Sequence, residues 1–530
     1  MPKIAIPLTG GQNIDQPFNN IVVGSEAVNM TPEQTAQGLI LRNTPGFAAN
    51  IDYTTTGTGH VLGAIAVNDN VFIVRVNGND GELYELDPGS GTITSRGTMT
   101  GMSQSVRMAT NGENLIIVNG AQIQAGAPDY VYDIATTTLA TIGSVDGDYV
   151  TLGRATDVIY YQGYYFFTNT EIIFHGDLRT EAGKGVAFNV LSFAPLPFPS
   201  NEAKGLEEIG GQVYVFGITS TFIYNLVGTT PFVLQQQVGS SIDVGILTAN
   251  CKTKVGESVY LYGQEPNSQA DFYKLSGLNI VKIGHSSQVL LSTSLVSGVT
   301  AAIMSSYVSR GNVIVWWREH PAFNTYAYND TISNVTGVKS WYLVGGYEEA
   351  EDVERVSFLA STLPVLVNPS VNTSGVPSSI NSRLLFVHAV FGATDLYLSL
   401  YDENYTEISQ DVISITATTL VTKFVFTFDY LRQNGEAVFV KSIRFKLIDS
   451  GMTAELQYTD GTNNKTGFSS TNFPYTSLGE ITPTSAGLVE WRRIGRIPDQ
   501  RSFRLILSSP NNDGLFESVS GGIISGELII

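Results

Sequence analysis

One motif recurs six times in the first two thirds of this chain: a polar turn rich in Gly and Asn, then four or five consecutive apolar or aromatic residues. The copies are NDNVFIVRVNG (Asn68–Gly78), NGENLIIVNG (Asn111–Gly120), YQGYYFFTNT (Tyr161–Thr170), IGGQVYVFGITS (Ile209–Ser220), VGESVYLYGQE (Val255–Glu265) and SRGNVIVWWRE (Ser309–Glu319). Runs this short, rich in β-branched and aromatic residues, are strands. Being apolar at every position rather than at alternate ones, they must be covered on both faces. The runs begin roughly 44 to 54 residues apart, the period of a four-stranded propeller blade.

The segments C-terminal to the runs also suit a blade. GELYELDPGSGTI (Gly81–Ile93) and DFYKLSGLNIVKIG (Asp271–Gly284) each read as strand, turn, strand. Six units between about His60 and Val344 predict six blades, with seven as the alternative count and Asp352–Val367 as a candidate closing strand pair. No helix of normal length is expected there. Composition agrees with an all-β chain. Charged residues are 15% against a typical ~25%, while the chain carries 53 Gly, 25 Tyr and 26 Phe.

The texture changes at NPSVNTSGVPSSINS (Asn368–Ser382), a Pro, Ser and Gly-rich stretch that reads as a linker. Beyond it, strands at closer spacing suggest a β-sandwich or jelly roll. The expected division is an extended N-terminal strap at 1–50, a β-propeller at 51–367, a linker at 368–382 and a β-sandwich at 383–530. The strap carries a high density of breakers in EAVNMTPEQTAQGLILRNTPGF (Glu26–Phe47) and few apolar residues. Such a segment is expected to gain order from a neighbouring molecule.

No catalytic constellation stands out. The five histidines, His60, His175, His285, His320 and His388, fall in separate segments without metal-ligand spacing. No nucleophile elbow, phosphate loop or dinucleotide fingerprint is present. Asn77–Gly81 lacks the full calcium-loop pattern and reads as a hairpin turn. Glu207-Glu208 and the acidic run Glu348–Glu354 resemble a glycosidase carboxylate pair in composition only; solvated loops explain them more simply. Trp316-Trp317 alternate across a strand, so at most one ring can face a ligand and packing between blades is the expectation. The single cysteine, Cys251, excludes an internal disulfide and reads as a buried thiol. No cofactor, metal or catalytic residue is expected.

Net charge is −19, which keeps a protein soluble and repels nucleic-acid phosphates. Within that acidic chain one basic concentration stands out, EWRRIGRIPDQRSFR (Glu490–Arg504). It is suited to ion pairs with a neighbouring subunit, and equally to plain exposure on a strand face. The N-terminus lacks a signal-peptide core, and no apolar run is long enough to span a membrane.

Four stretches carry a family resemblance. VNMTPEQTAQGLILRNTPGF, with Val28, Asn29, Met30, Leu41, Pro45 and Gly46, resembles the N-terminal strap of the packaged-DNA stabilisation proteins of short-tailed phages. NCKTKVGESVYLYG (Asn250–Gly263) is similar to that family's Tyr-Cys-Lys-Thr stretch before a blade strand. VEWRRIGRIPDQRSFRLILSS (Val489–Ser509) is similar to its Trp-Arg-rich strand, and YTDGTN (Tyr458–Asn463) also fits. The resemblance implies a structural tail hub, or nozzle, protein of the virion tail, made in the host bacterial cytoplasm. It implies a ring, a homohexamer, below the portal-adaptor ring, with a tail needle or plug and tailspike or fibre proteins as further partners. DNA would be passing cargo only, and no membrane insertion is implied. The assembly contacts it suggests are Asn29, Met30, Pro45, Gly46, Trp491, Arg492, Arg493 and Arg496. The competing readings are a carbohydrate-binding propeller and, third, a propeller glycosidase.

Overall fold

Four-stranded antiparallel sheets, each made of consecutive strands, succeed one another at residues 61–99, 106–141, 157–195, 203–242, 252–282 and 303–344. These are six blades of a β-propeller, numbered in chain order. The computed structural model describes most of residues 54–284 and 302–344, and outside them chiefly the backbone of the strands named below. The turns that opened each sequence motif are hairpins. Gln162-Gly163 (φ 45° and 89°) and Gly210-Gly211 (φ 56° and 83°) take the paired positive φ values of a type I′ turn, which matches strand twist. Asn77–Asp80 is also a hairpin turn, with those two residues paired across it.

The continuous apolar runs are the second strands, and alternation along them divides each run between two neighbours. In blade 2, Leu115 and Ile117 pack with Phe72 and Leu83 of blade 1, while Ile116 and Val118 pack with Val158 and Phe167 of blade 3. In blade 4, Val213 and Val215 face Phe166 of blade 3, and Tyr214 and Phe216 face Leu261 and Leu275 of blade 5. Tyr260 and Tyr262 of blade 5 in turn meet Trp317, Tyr326 and Trp341 of blade 6. These blades thus lend their two faces to two interblade cores, and the apolar positions of their runs are withdrawn from water.

Between blade 6 and blade 1 stands a composite four-stranded sheet. Its strands are Leu363–Val367, Arg383–Ala389, Asp395–Asp402 and, in the outermost place, the N-terminal strand Gly46–Thr54. The 363–367 strand lies beside the inner strands of blades 1 and 6. The six- and seven-bladed counts differ only in whether this sheet is included. Strand pairing therefore joins the two sides of the 368–382 segment. The chain then passes into blade 1 through Thr55–Gly59, a passage fixed by the buried Arg75, whose Nε donates to Gly59 O (2.8 Å) and Nη1 to Thr55 Oγ1 (2.5 Å).

The remaining strands form two sheets. One holds Met30–Thr35, Gly38–Asn43, Val519–Leu528, Val438–Leu447 and Leu488–Ile497 in that order, with Lys3–Ile6 also paired to 519–528. The other runs Val22–Val28, Lys423–Leu431, Gln500–Ser508, Thr453–Thr459 and Thr476–Ile481. It is continuous with blade 6 through the parallel contact Val28 to Leu343. Trp491 of the first sheet donates its indole N–H to Gly479 O of the second (2.9 Å), so the sheets face each other there.

The N-terminal strap thus has partners within its own chain. Met30 to Asn43 is a hairpin closed by the Thr35 to Gly38 pair, and every described N-terminal strand joins a sheet. Low apolar content does not prevent this, because backbone hydrogen bonding to a ready-made sheet edge does not depend on side-chain type.

Candidate functional site: an ion-paired axis and a basic sheet face

Charged side chains converge where the innermost strands of blades 2 to 5 meet. Asp157, on the inner strand of blade 3, is fully buried and accepts from Arg107 Nε of blade 2 at 2.9 Å. Its other oxygen lies 3.0 Å from Lys252 Nζ of blade 5 and accepts the Leu206 amide of blade 4 at 2.8 Å. Lys252 Nζ also reaches Glu207 of blade 4 at 3.2 Å, and Lys254 Nζ reaches Glu208 at 2.5 Å. Between these two lysines, Thr253 Oγ1 meets Ser306 Oγ of blade 6 at 2.7 Å. A single polar belt therefore crosses five blades.

Lys252 reaches Asp157 only because blade 4 has no side chain in the way. A Cβ on Gly205 would come within 2.9 Å of Ile246 Cδ1, 3.0 Å of Asp157 Oδ2 and 3.1 Å of Lys252 Cε. Burial alone would raise the Asp157 carboxyl, but the Arg107 and Lys252 charges and the Leu206 N–H hold it below the ordinary carboxylate value. Likewise burial would raise Glu208, but Lys254 and the Gly211 N–H outweigh it and keep the carboxyl low. Each of these two carboxylates is ionised and committed to a cation, a state suited to holding blades together and unsuited to proton transfer.

Glu207 and Glu208, expected in a solvated loop, are instead partly buried on an inner strand, each in an ion pair with blade 5. Sequence reading assigns adjacent acids to solvent because it sees no partner 45 residues away. The Cys-Lys-Thr-Lys stretch flagged by resemblance supplies the belt's lysines. Cys251 itself is buried against blade 6, and burial pushes its thiol up to about 11. Trp316 and Trp317 are both buried, Trp317 among Tyr262, Phe272 and Tyr326, as packing between blades predicts. Nothing in the sequence marks Arg107 or Asp157.

A second buried carboxylate behaves differently. Asp129 accepts from Tyr149 O–H (2.7 Å), Ala155 N–H (3.0 Å) and Asn119 N–H (3.4 Å), tying the short helices 142–145 and 147–152 to blade 2. Burial raises its carboxyl to about 6, tempered by those hydrogen bonds and by the charge of Arg154. A folded value above the unfolded one means that stability from this group is complete near pH 4 and is lost as pH rises through about 6. The loss amounts to ~3 kcal/mol at neutral pH. Urea midpoints of the wild type are expected to fall between about pH 4.5 and 7, and Asp129→Asn to remove most of that slope. An unchanged slope in the variant would assign the effect elsewhere.

The residues expected at assembly contacts are scattered. Asn29 and Pro45 lie outside the described residues. Met30 opens the hairpin opposite Asn43, and Gly46 opens the outer strand of the composite sheet opposite Asp402. Trp491 is interior, 4% exposed, paired with Ile443. Arg492 points outward, its side chain 77% exposed, and donates Nε to Glu490 at 2.7 Å. Arg444 donates Nε to the same carboxylate at 2.7 Å, so two guanidinium groups share one anion. Burial would raise Glu490, but the two arginines together outweigh it and hold the carboxyl below its usual range. Arg493 and Arg496 follow on the same strand, which is the sheet's edge, with Arg496 opposite Phe439.

Fold and site together define a propeller scaffold: a ring of blades in which the described axial charges are paired with one another. Residues 4–354 match the family model described as "Bacteriophage P22 Gp10, beta-propeller" for phage stabilisation proteins, and the chain belongs to that family. It is a phage structural protein of the virion. Among solved structures, it is similar to the WD40 domain of Toxoplasma gondii coronin, at 8% identity over 70% of this chain and 90% of that one, with a TM-score of 0.39. It is also similar to the β-propeller domain of the Trilobed protease from Pyrococcus furiosus, at 9% identity over 69% and 100%, with a TM-score of 0.35. No curated protein sequence matches it. Among the described residues, no helix is long and apolar enough to cross a membrane.

Proposed function

We propose that this chain is a subunit of the phage tail hub, or nozzle. It assembles as a homohexameric ring below the portal-adaptor ring, closes the DNA channel after packaging and forms the conduit for genome ejection. A needle or plug and tailspike or fibre proteins complete the partners, and DNA is only passing cargo. The observation that carries this reading is the match of residues 4–354 to the Gp10 propeller family. Two features support it. The net charge of −19 disfavours DNA adhering to the wall. The axial belt ties five blades by ion pairs and hydrogen bonds, as a subunit under load requires. The motives for the carbohydrate and glycosidase readings are weakened: the tryptophan pair is buried and the Glu207-Glu208 pair is bound to lysines.

We also propose two bodies within the chain. The ring takes in 46–54 and 383–402, and a β-sandwich is built from 3–43 and 423–528.

Cryo-EM and mass spectrometry of purified virions test the function. The chain is expected at the portal vertex in six copies, and particles made without it are expected to lose packaged DNA. Chain-less particles that retain DNA, or virions without the chain, would sink the proposal.

A further inference from the structure

The register of the six-stranded sheet brings together basic residues that lie far apart in sequence. Arg492, Ser442, Ser525 and Lys3 stand side by side in one rank across four strands. The next rank on the same face is Glu490, Arg444, Ile523 and Ala5, and the third holds Lys446 opposite Leu488. Arg444 and Arg492 thus share one face with Glu490, the one acid in these ranks, and by register Lys3 and Lys446 occupy positions in the same ranks. Alternation along the strands turns Trp491, Ile443 and Val489 to the opposite face, where they are buried. On the other face the Arg444 and Arg492 side chains are exposed, at 50% and 77%, beside Ser442, which is buried, and Glu490, whose side chain is 12% exposed.

The propeller presents the opposite charge. Asp148, Glu171, Asp177, Asp243, Glu257 and Glu265 are exposed there. Among the described residues of the blades the exposed cations are Arg179 and Lys282, and each is already held by a carboxylate, Glu113 and Asp271. One molecule therefore carries an outward basic face on its sheet and an outward acidic surface on its blades.

We propose that this face, centred on Arg444 and Arg492, docks onto the acidic propeller surface of a second copy of this chain. The contact is heterologous: two different surfaces meet, and repetition of the same contact generates a ring when the rotation closes. Each guanidinium spends its Nε on Glu490, which orients its outer N–H groups towards an incoming carboxylate. The sharing of Glu490 leaves a net positive charge for the partner. The occupant follows from local charge: the exposed carboxylates of the blades give another copy a surface complementary to the two arginines, against the overall repulsion of two acidic chains. This inference rests on the ring reading and adds the surfaces that build it.

Sedimentation velocity of the full chain across a concentration series tests it. Self-association is expected at about 50 mM salt and is expected to weaken strongly by about 500 mM. Arg444→Gln/Arg492→Gln is expected to weaken it about tenfold, and Arg444→Lys/Arg492→Lys to retain most of it. Circular dichroism of both variants should match wild type, because both arginine side chains are exposed, and melting curves report any cost of leaving the Glu490 carboxylate without its two cations. Unchanged association in the glutamine variant overturns the proposal. So does loss of binding to a fluorescent DNA duplex while self-association persists, which would assign the face to phosphates. The hub reading is judged separately, by whether the wild-type chain is found in virion tails.

Discussion

Asp157→Asn is expected to lower the unfolding free energy by about 3–5 kcal/mol, the cost of removing one partner from a buried ion pair. The carboxylate is fully buried, and it joins Arg107 of blade 2 to Lys252 of blade 5 across blade 4. An asparagine of the same shape leaves the fully buried Lys252 ammonium with Glu207 alone. Removing the second charge as well, in Asp157→Asn/Lys252→Met, is expected to recover part of the loss, since a buried cation no longer lacks its partner. Equilibrium urea unfolding of the three proteins measures both effects. A cost below ~1 kcal/mol for the single variant would place the pair with ordinary surface salt bridges and remove the belt as a source of rigidity.

Truncation of residues 1–54 is expected to have the larger effect, comparable with the whole stability of a domain, about 5–15 kcal/mol. It removes the outer strand of the composite sheet, which pairs with Asp395–Asp402. It also strips partners from the 423–431 and 519–528 strands, leaving their backbone groups as open edges. The truncated chain should be rapidly proteolysed or insoluble, and co-expression of a 1–54 fragment should restore soluble protein. A truncated chain with wild-type melting behaviour would show that these pairings contribute nothing. A segment merely ordered by a neighbouring subunit predicts that outcome, so the measurement separates the two views of the strap.

The parts of the fold legible in sequence are those set by local pattern. The six apolar runs, from Val71–Val74 to Val313–Trp317, reveal the blade period because covering both strand faces demands apolar residues at successive positions. The burial of Cys251 and of the tryptophan pair is legible for the same reason. The family can be recognised from short stretches in the strap and at the start of blade 5, both within the residues that match the family model; the C-terminal stretches lie outside that match.

The illegible parts depend on pairings between distant segments. The belt is an example: Arg107, Asp157, Glu207 and Lys252 lie on four different strands, and each looks by itself like a surface residue. Gly205 looks like any strand glycine until Lys252 is seen to pass over it. The strap carries no apolar period, so only the sheets it joins reveal that it folds within its own chain.

The all-β class, the blade repeat, the acidic balance and the cluster of arginines near residue 492 are written in the linear chain, because each follows from residue type and spacing. The folded molecule alone establishes which strand completes the composite sheet, which carboxylates are spent on the axis, and which side of the 488–497 strand faces outward. Hydrophobic periodicity is a one-dimensional property and can be read along the chain. Strand register and ion-pair partnership are fixed instead by backbone pairing and close approach between residues tens to hundreds of positions apart.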